Sequence, residues 1–186
     1  MRVIALLALA VGLSAHAQDV YTVDPSHSSI VFKVDHQGYS HVYGHFTDAE
    51  GKMTIDEKSP EKSSFEVSLK VDSVMTSSKK RDDHLKSPDF FNAKQFPTIT
   101  LKSKSIEKNG DKYDVTADLT LHGVTKQVNF TFTRLKTAKD QMGAMRTGGE
   151  TSFKIKRTDY GMNFMTKPGD SGDEVELMVS IEGTMK

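Results

Sequence analysis

Residues 113–121 read Tyr-Asp-Val-Thr-Ala-Asp-Leu-Thr-Leu, the longest stretch in which apolar and polar residues alternate. Successive side chains of a β-strand point to opposite faces. Tyr113, Val115, Ala117, Leu119 and Leu121 therefore share one face, and Asp114, Thr116, Asp118 and Thr120 share the other. The same period of two recurs on both sides of this run. Upstream it carries Ile30, Phe32 and Val34, then Phe65, Val67, Leu69 and Val71. Downstream it carries Val128, Phe130 and Phe132, then Phe153 and Ile155, and last Val175, Leu177, Val179 and Ile181. Weaker strands are readable at 42–46, 52–56 and 98–103. One apolar face and one polar face mark antiparallel sheet. Asn109-Gly110 and His122-Gly123 supply tight reversals between runs. The pattern amounts to eight or nine strands in a single domain, with no repeat and no linker.

One segment breaks the period. Residues 79–96, KKRDDHLKSPDFFNAKQF, are charged and do not alternate. Ser87-Pro88 matches a helix N-cap followed by proline at the first helical position, so one or two short helices are expected here. Phe90, Phe91 and Phe96 would pack them onto one end of the sheet. So many antiparallel strands must hide their edges, and closing into a barrel does this most completely. A sandwich is also compatible with the pattern. An eight-stranded barrel is either filled by its own side chains or holds one small ligand, and periodicity does not distinguish the two.

Composition narrows the function. The chain has 186 residues and no cysteine, which excludes disulfides, thiolate metal sites and thiol catalysis. Lys+Arg and Asp+Glu number 25 each, a balance unlike that of a general nucleic-acid binder. The N-terminus reads as a signal peptide over residues 1–17. Arg2 is the positive end, Val3 to Leu13 the apolar run, and Ser14-Ala15-His16-Ala17 the small-residue cleavage site. That run is shorter than the roughly 20 residues a membrane span needs, and no later segment reaches that length. The mature chain, residues 18–186, is expected to be exported and soluble, with no integral membrane segment after cleavage.

Several short motifs, in order, carry a family likeness. They are Asp24-Pro25-Ser26-His27-Ser28, His36-Gln37-Gly38-Tyr39-Ser40, and Gly44 with Phe46. Further on come Arg81-Asp82-Asp83-His84-Leu85 leading to Asp89-Phe90-Phe91, Phe96-Pro97, the run from Asp118 to Lys126, and Arg157-Thr158-Asp159-Tyr160-Gly161-Met162. Over residues 20 to 185 the chain resembles the YceI family of periplasmic polyisoprenoid-binding proteins. The resemblance implies an extended eight-stranded antiparallel, lipocalin-like barrel with a short helical cap. It also implies a tubular cavity for a long isoprenoid, a quinone-type or polyprenyl lipid, or a fatty amide. Members often carry Gly before the Asp-Leu-Thr segment, where this chain has Ala117. The family has no agreed catalytic residues, so none is transferred.

With that resemblance, the apolar faces become candidate cavity lining: Ile30, Phe32, Phe65, Val67 and Leu69 from the first half, and Val115, Leu119, Leu121, Phe130 and Phe132 from the second. Phe90 and Phe91 would close the cap. Arg81 and His84 are candidate head-group contacts through charge-assisted hydrogen bonds, the alternative being a helix end held by local Arg–Asp pairing. No cofactor is expected beyond a bound isoprenoid or quinone-type lipid, and a homodimer is compatible with the chain.

A rival reading is periplasmic copper or metal handling. It would use Met142 with Met145, Met162 with Met165, and the histidines His27, His36, His41 and His45. His41 and His45 lie four strand positions apart, about 13 Å by rise, too far for one ion without a bulge at Gly44. An enzyme is not expected, since no Gly-x-Ser-x-Gly, phosphate loop or dinucleotide fingerprint is present.

Overall fold

The computed structural model describes residues 18–167 and 169–185; the expected signal peptide, Met1 to Ala17, lies outside the described residues. Among the described residues the chain forms eleven strand segments and one α-helix. In order these are β1 (Asp19–Val23), β2 (Ser29–His36), β3 (Ser40–Phe46), β4 (Ala49–Ile55), β5 (Ser64–Lys70), β6 (Val74–Met75) and α1 (Lys79–Leu85). They continue with β7 (Thr98–Asn109), β8 (Lys112–Leu121), β9 (Val124–Lys139), β10 (Met145–Lys156) and β11 (Ser171–Thr184).

The eleven segments combine into eight long staves in an up-and-down order. β1 and β2 both pair with β11 and run in line as one stave. β3 and β4 form the next, pairing with β2 and β1 in turn. β5 and β6 form the third. The remaining five follow without interruption, all antiparallel. Closure comes from Thr22 opposite Thr184 and Val23 opposite Gly183, beside the β2–β11 ladder. The molecule is therefore a barrel and not a sandwich.

The breaks in the staves have local causes. Between β1 and β2 the Asp24 carboxylate accepts the Ser26 amide at 3.0 Å, an Asx turn that lifts the chain out of the ladder. After β5 the expected strand position of Val71 is instead the start of a 3₁₀ turn, Val71–Ser73. The Val71 amide donates across to the Pro97 carbonyl at 2.9 Å, so it is not available to the β4 ladder.

Of the one or two short helices expected in the cap, one forms. The helix covers Lys79–Leu85, and Ser87-Pro88 does not start a second one. Ser87 opens a turn instead: its Oγ accepts from the Asp89 amide at 3.3 Å and its carbonyl from the amides of Phe90 and Asn92 at 3.1 and 2.9 Å. The segment then folds as turns, with Asn92 in the left-handed region at φ 49°, which an α-helix cannot pass through. This irregular path turns Phe91 onto Phe46, ring centroids 5.7 Å apart.

Alternation works as expected over β8, where Val115, Ala117, Leu119 and Leu121 are all buried and the residues between them are not. Two glycines make room for inward rings. Phe32 lies opposite Gly44, and a Cβ at residue 44 would fall within the Phe32 ring. Gly149 gives the same clearance to Phe132.

Candidate functional site

The inner faces of the staves enclose a tube rather than a filled core. Phe65, Val67, Phe132, Phe153, Val175 and Leu177 all point inward by parity, yet each is only half-buried. What they face is a cavity of about 440 Å³. That size lies within the roughly 300–1,000 Å³ of sites for small organic ligands. The wall is almost wholly hydrocarbon.

All twelve residues expected to line a cavity stand on this wall. Ile30 and Phe32 come from β2, and Phe65, Val67 and Leu69 from β5. Val115, Leu119 and Leu121 come from β8, and Phe130 and Phe132 from β9. Phe90 and Phe91 reach it from the cap. Phe130 stacks on Phe153 at 4.8 Å between centroids, and Phe65 lies 6.5 Å from Phe130, so three strands present one aromatic band. The wall also takes in Phe46, Leu101, Ile155 and Val179, whose alternation marked their strands without marking them as lining.

At the cap end Arg81 and His84 both reach the cavity rim. Arg81 is committed to local structure. Its Nε donates to Thr76 Oγ1 at 2.7 Å and its Nη2 to the Thr76 carbonyl. His84 pairs with Asp89 at 2.8 Å and forms a trio of edge-to-face rings with Phe90 and Phe164, centroids 5.1 to 5.4 Å apart. Phe164 closes part of the mouth while remaining 37% exposed.

Arg157 was quoted in the family motif but not expected at the site. It is 5% exposed and lies on the cavity wall, with its guanidinium 5.8 Å from the centre of the Phe90 ring. Its N–H groups donate to the carbonyls of Gly172 at 2.9 Å, Phe164 at 2.6 Å, Met165 at 2.6 Å and Ser171 at 3.2 Å. Burial lowers its pKa from the usual guanidinium value, although Asp173 and Asp170 oppose this. Arg157 thus binds the 164–172 connection into one rim of the mouth.

The metal-ligand candidates do not converge as a histidine cluster. Among the described residues, the group of carboxylates and histidines close enough for one ion is Asp24, His27 and Glu182. Arg146 Nη1 already donates to both of those carboxylates, so a guanidinium occupies the cation position. The two methionine pairs flank β10 at opposite ends of the barrel. Met162 and Met165 belong to the cavity wall, and Met142 lies on the exposed β9–β10 turn. No described helix is long and apolar enough to cross a membrane.

Comparison with known proteins agrees with this geometry. Residues 21–183 match the YceI-like domain family. Protein YceI of Shigella flexneri is 40% identical over 175 residues, covering 93% of this chain and 90% of that one. Among solved structures, Burkholderia cenocepacia BcnA superposes with a TM-score of 0.77 at 23% identity, covering 86% of this chain and 98% of that one. A polyisoprenoid binding domain from Saccharophagus degradans, implicated in plant cell wall breakdown, superposes with a TM-score of 0.66 at 16% identity, covering 89% and 98%. At these identities the two structures speak to the fold.

Proposed function

The chain belongs to the YceI-like domain family, and from that premise we propose that it is a periplasmic carrier that sequesters an isoprenoid or another long-chain lipid in its barrel. One observation carries the reading: inward-facing apolar side chains that stop short of filling the tube. Burying a methylene group contributes about 0.8 kcal/mol, so a five-carbon isoprene unit contributes about 3–4 kcal/mol before ordering costs. Two or three buried units then suffice for useful affinity without a charged contact. The Saccharophagus degradans domain, described as polyisoprenoid-binding, supports the ligand class.

Such a protein binds and releases. The cavity is a place for a hydrocarbon chain, and the polar groups at the mouth are engaged in holding the cap. We assign it no catalytic step. The signal-like N-terminus supports export to the periplasm, where a carrier of this kind shields a lipid chain from water.

Organic extraction of the purified protein followed by mass spectrometry tests the proposal. A co-purifying isoprenoid or other long-chain lipid near one per protein is expected. Protein that comes out lipid-free and takes up no added polyprenol overturns it.

A further inference from the structure

The far end of the tube, opposite the cap, is polar. On β9 the inward parity of Phe130 and Phe132 continues to Arg134. Leu135 is then the extra residue of a bulge against Gly148 and Gly149. The bulge resets the alternation, so Thr137 also turns inward, and its hydroxyl lies 2.6 Å from that of the buried Thr147. Arg134 Nε donates to Thr137 Oγ1 at 3.1 Å. Tyr113, the first inward residue of β8, stands opposite Phe132 and lines the same end of the cavity as Arg134. The Arg134 side chain is only 18% exposed, and its Nη2 is paired with Glu57. Glu57 comes from the β4–β5 connection and is itself 56% exposed. Arg134 and Tyr113 line both the apolar cavity and a shallow outer recess, so together they form the partition between tube and solvent.

Three guanidiniums reach the cavity wall, and they differ in what holds them. Arg81 is bound to Thr76, and Arg157 to four carbonyls of one connection. Neither set of partners can leave without unfolding the cap or the rim of the mouth. Arg134 is held in place by Thr137, to which Nε and Nη2 both donate, but its other partner is a side-chain carboxylate on a solvent-exposed connection, one that can swing away into water. Glu57 also shows which functional group this guanidinium accepts.

We propose that the far end is a carboxylate seat for a long-chain acid. The acid's carboxylate takes the place of Glu57 on Arg134 and accepts a second hydrogen bond from the Tyr113 hydroxyl, while its chain lies along the apolar wall toward the cap. This rests on the reading of the tube as a lipid site and adds the orientation and the terminal chemistry. A carboxylate entering a hydrocarbon cavity loses its hydration, and that cost is offset only where a cation with free geometry awaits it. The planar guanidinium fork matches a carboxylate better than an ammonium does.

The test is fluorescence titration of the full mature chain with cis-parinaric acid and, separately, its methyl ester. The acid should bind at least about tenfold tighter than the ester. Arg134→Met should abolish that preference while the ester still binds. Glu57→Gln, on the exposed connection, should tighten the acid and leave the ester unchanged. Equal binding of acid and ester, a preference that survives Arg134→Met, or no gain from Glu57→Gln would each overturn the seat. If acid and ester bind equally and Leu119→Asp abolishes both, the tube remains a lipid site and the seat alone fails. If neither probe binds, both readings fall.

Discussion

The ring of Phe32 occupies the space that a side chain on Gly44 would take, directly across the β2–β3 pair. The same ring stands 6.0 Å from Phe46 and lines the cavity. Absence of a Cβ at one position therefore sets how far an aromatic side chain can withdraw from the tube. Gly44→Val should push Phe32 inward, lowering stability by about 1–3 kcal/mol and narrowing the cavity. Denaturant titration with a parallel lipid-uptake assay checks both effects. Wild-type stability with undiminished uptake would contradict this account of the wall.

Leu119 is buried on β8, opposite Leu101, and lies on the cavity wall. Leu119→Asp places a carboxylate on an apolar wall, at a cost of several kcal/mol unless it takes up a proton. Lipid capture should be lost, with or without a fall in melting temperature. A variant that folds and captures lipid as the wild type does would remove Leu119 from the binding surface.

Arg81 holds the start of the cap by bonds to the hydroxyl and carbonyl of Thr76, itself 3% exposed. Arg81→Ala strands the Thr76 carbonyl and leaves the hydroxyl only its bond to Asp82, so it should cost about 1–3 kcal/mol of stability. Lipid affinity should change less than the melting temperature does. A large affinity loss with unchanged melting would show that Arg81 instead holds a ligand head group.

Asp24 accepts from His27 at 2.8 Å and from Arg146 at 2.9 Å, and these partners hold its carboxyl well below the ordinary value of 3.8. A carboxyl with a depressed folded pKa binds its proton more readily in the unfolded chain. Its contribution is therefore present above the unfolded value and lost as pH falls from there toward the folded one. Stability should drop below about pH 4, and Asp24→Asn should be less stable at neutral pH with a shallower acid limb. Urea unfolding across that range measures the slope. An Asp24→Asn variant with the same acid limb as the wild type would place the acid sensitivity elsewhere.

Much of the barrel was legible because a strand's period is local. Tyr113 to Leu121 declare their inner face through neighbours two residues apart, and all the lining expected from such runs stands on the cavity wall. Ser87-Pro88 misled for the same local reason. Its residues suit a helix start, and Ser87 does cap a turn, but Asn92 in the left-handed region stops that turn from extending into a helix. Arg134 was missed although the parity of Phe130 and Phe132 reaches it, since a charged residue does not extend an apolar run.

The chain alone determined most of the strands, though not β1 or β6, with their wet and dry faces and the position of the cap, because backbone geometry converts residue order directly into side-chain direction. Tertiary structure decided the rest. Pairing of Val23 with Gly183 closes the sheet, a contact between distant residues that no local pattern encodes. Whether the enclosed space stays hollow depends on how rings from many strands meet, and only the closed barrel brings Glu57, Tyr113 and Arg134 to one end of it.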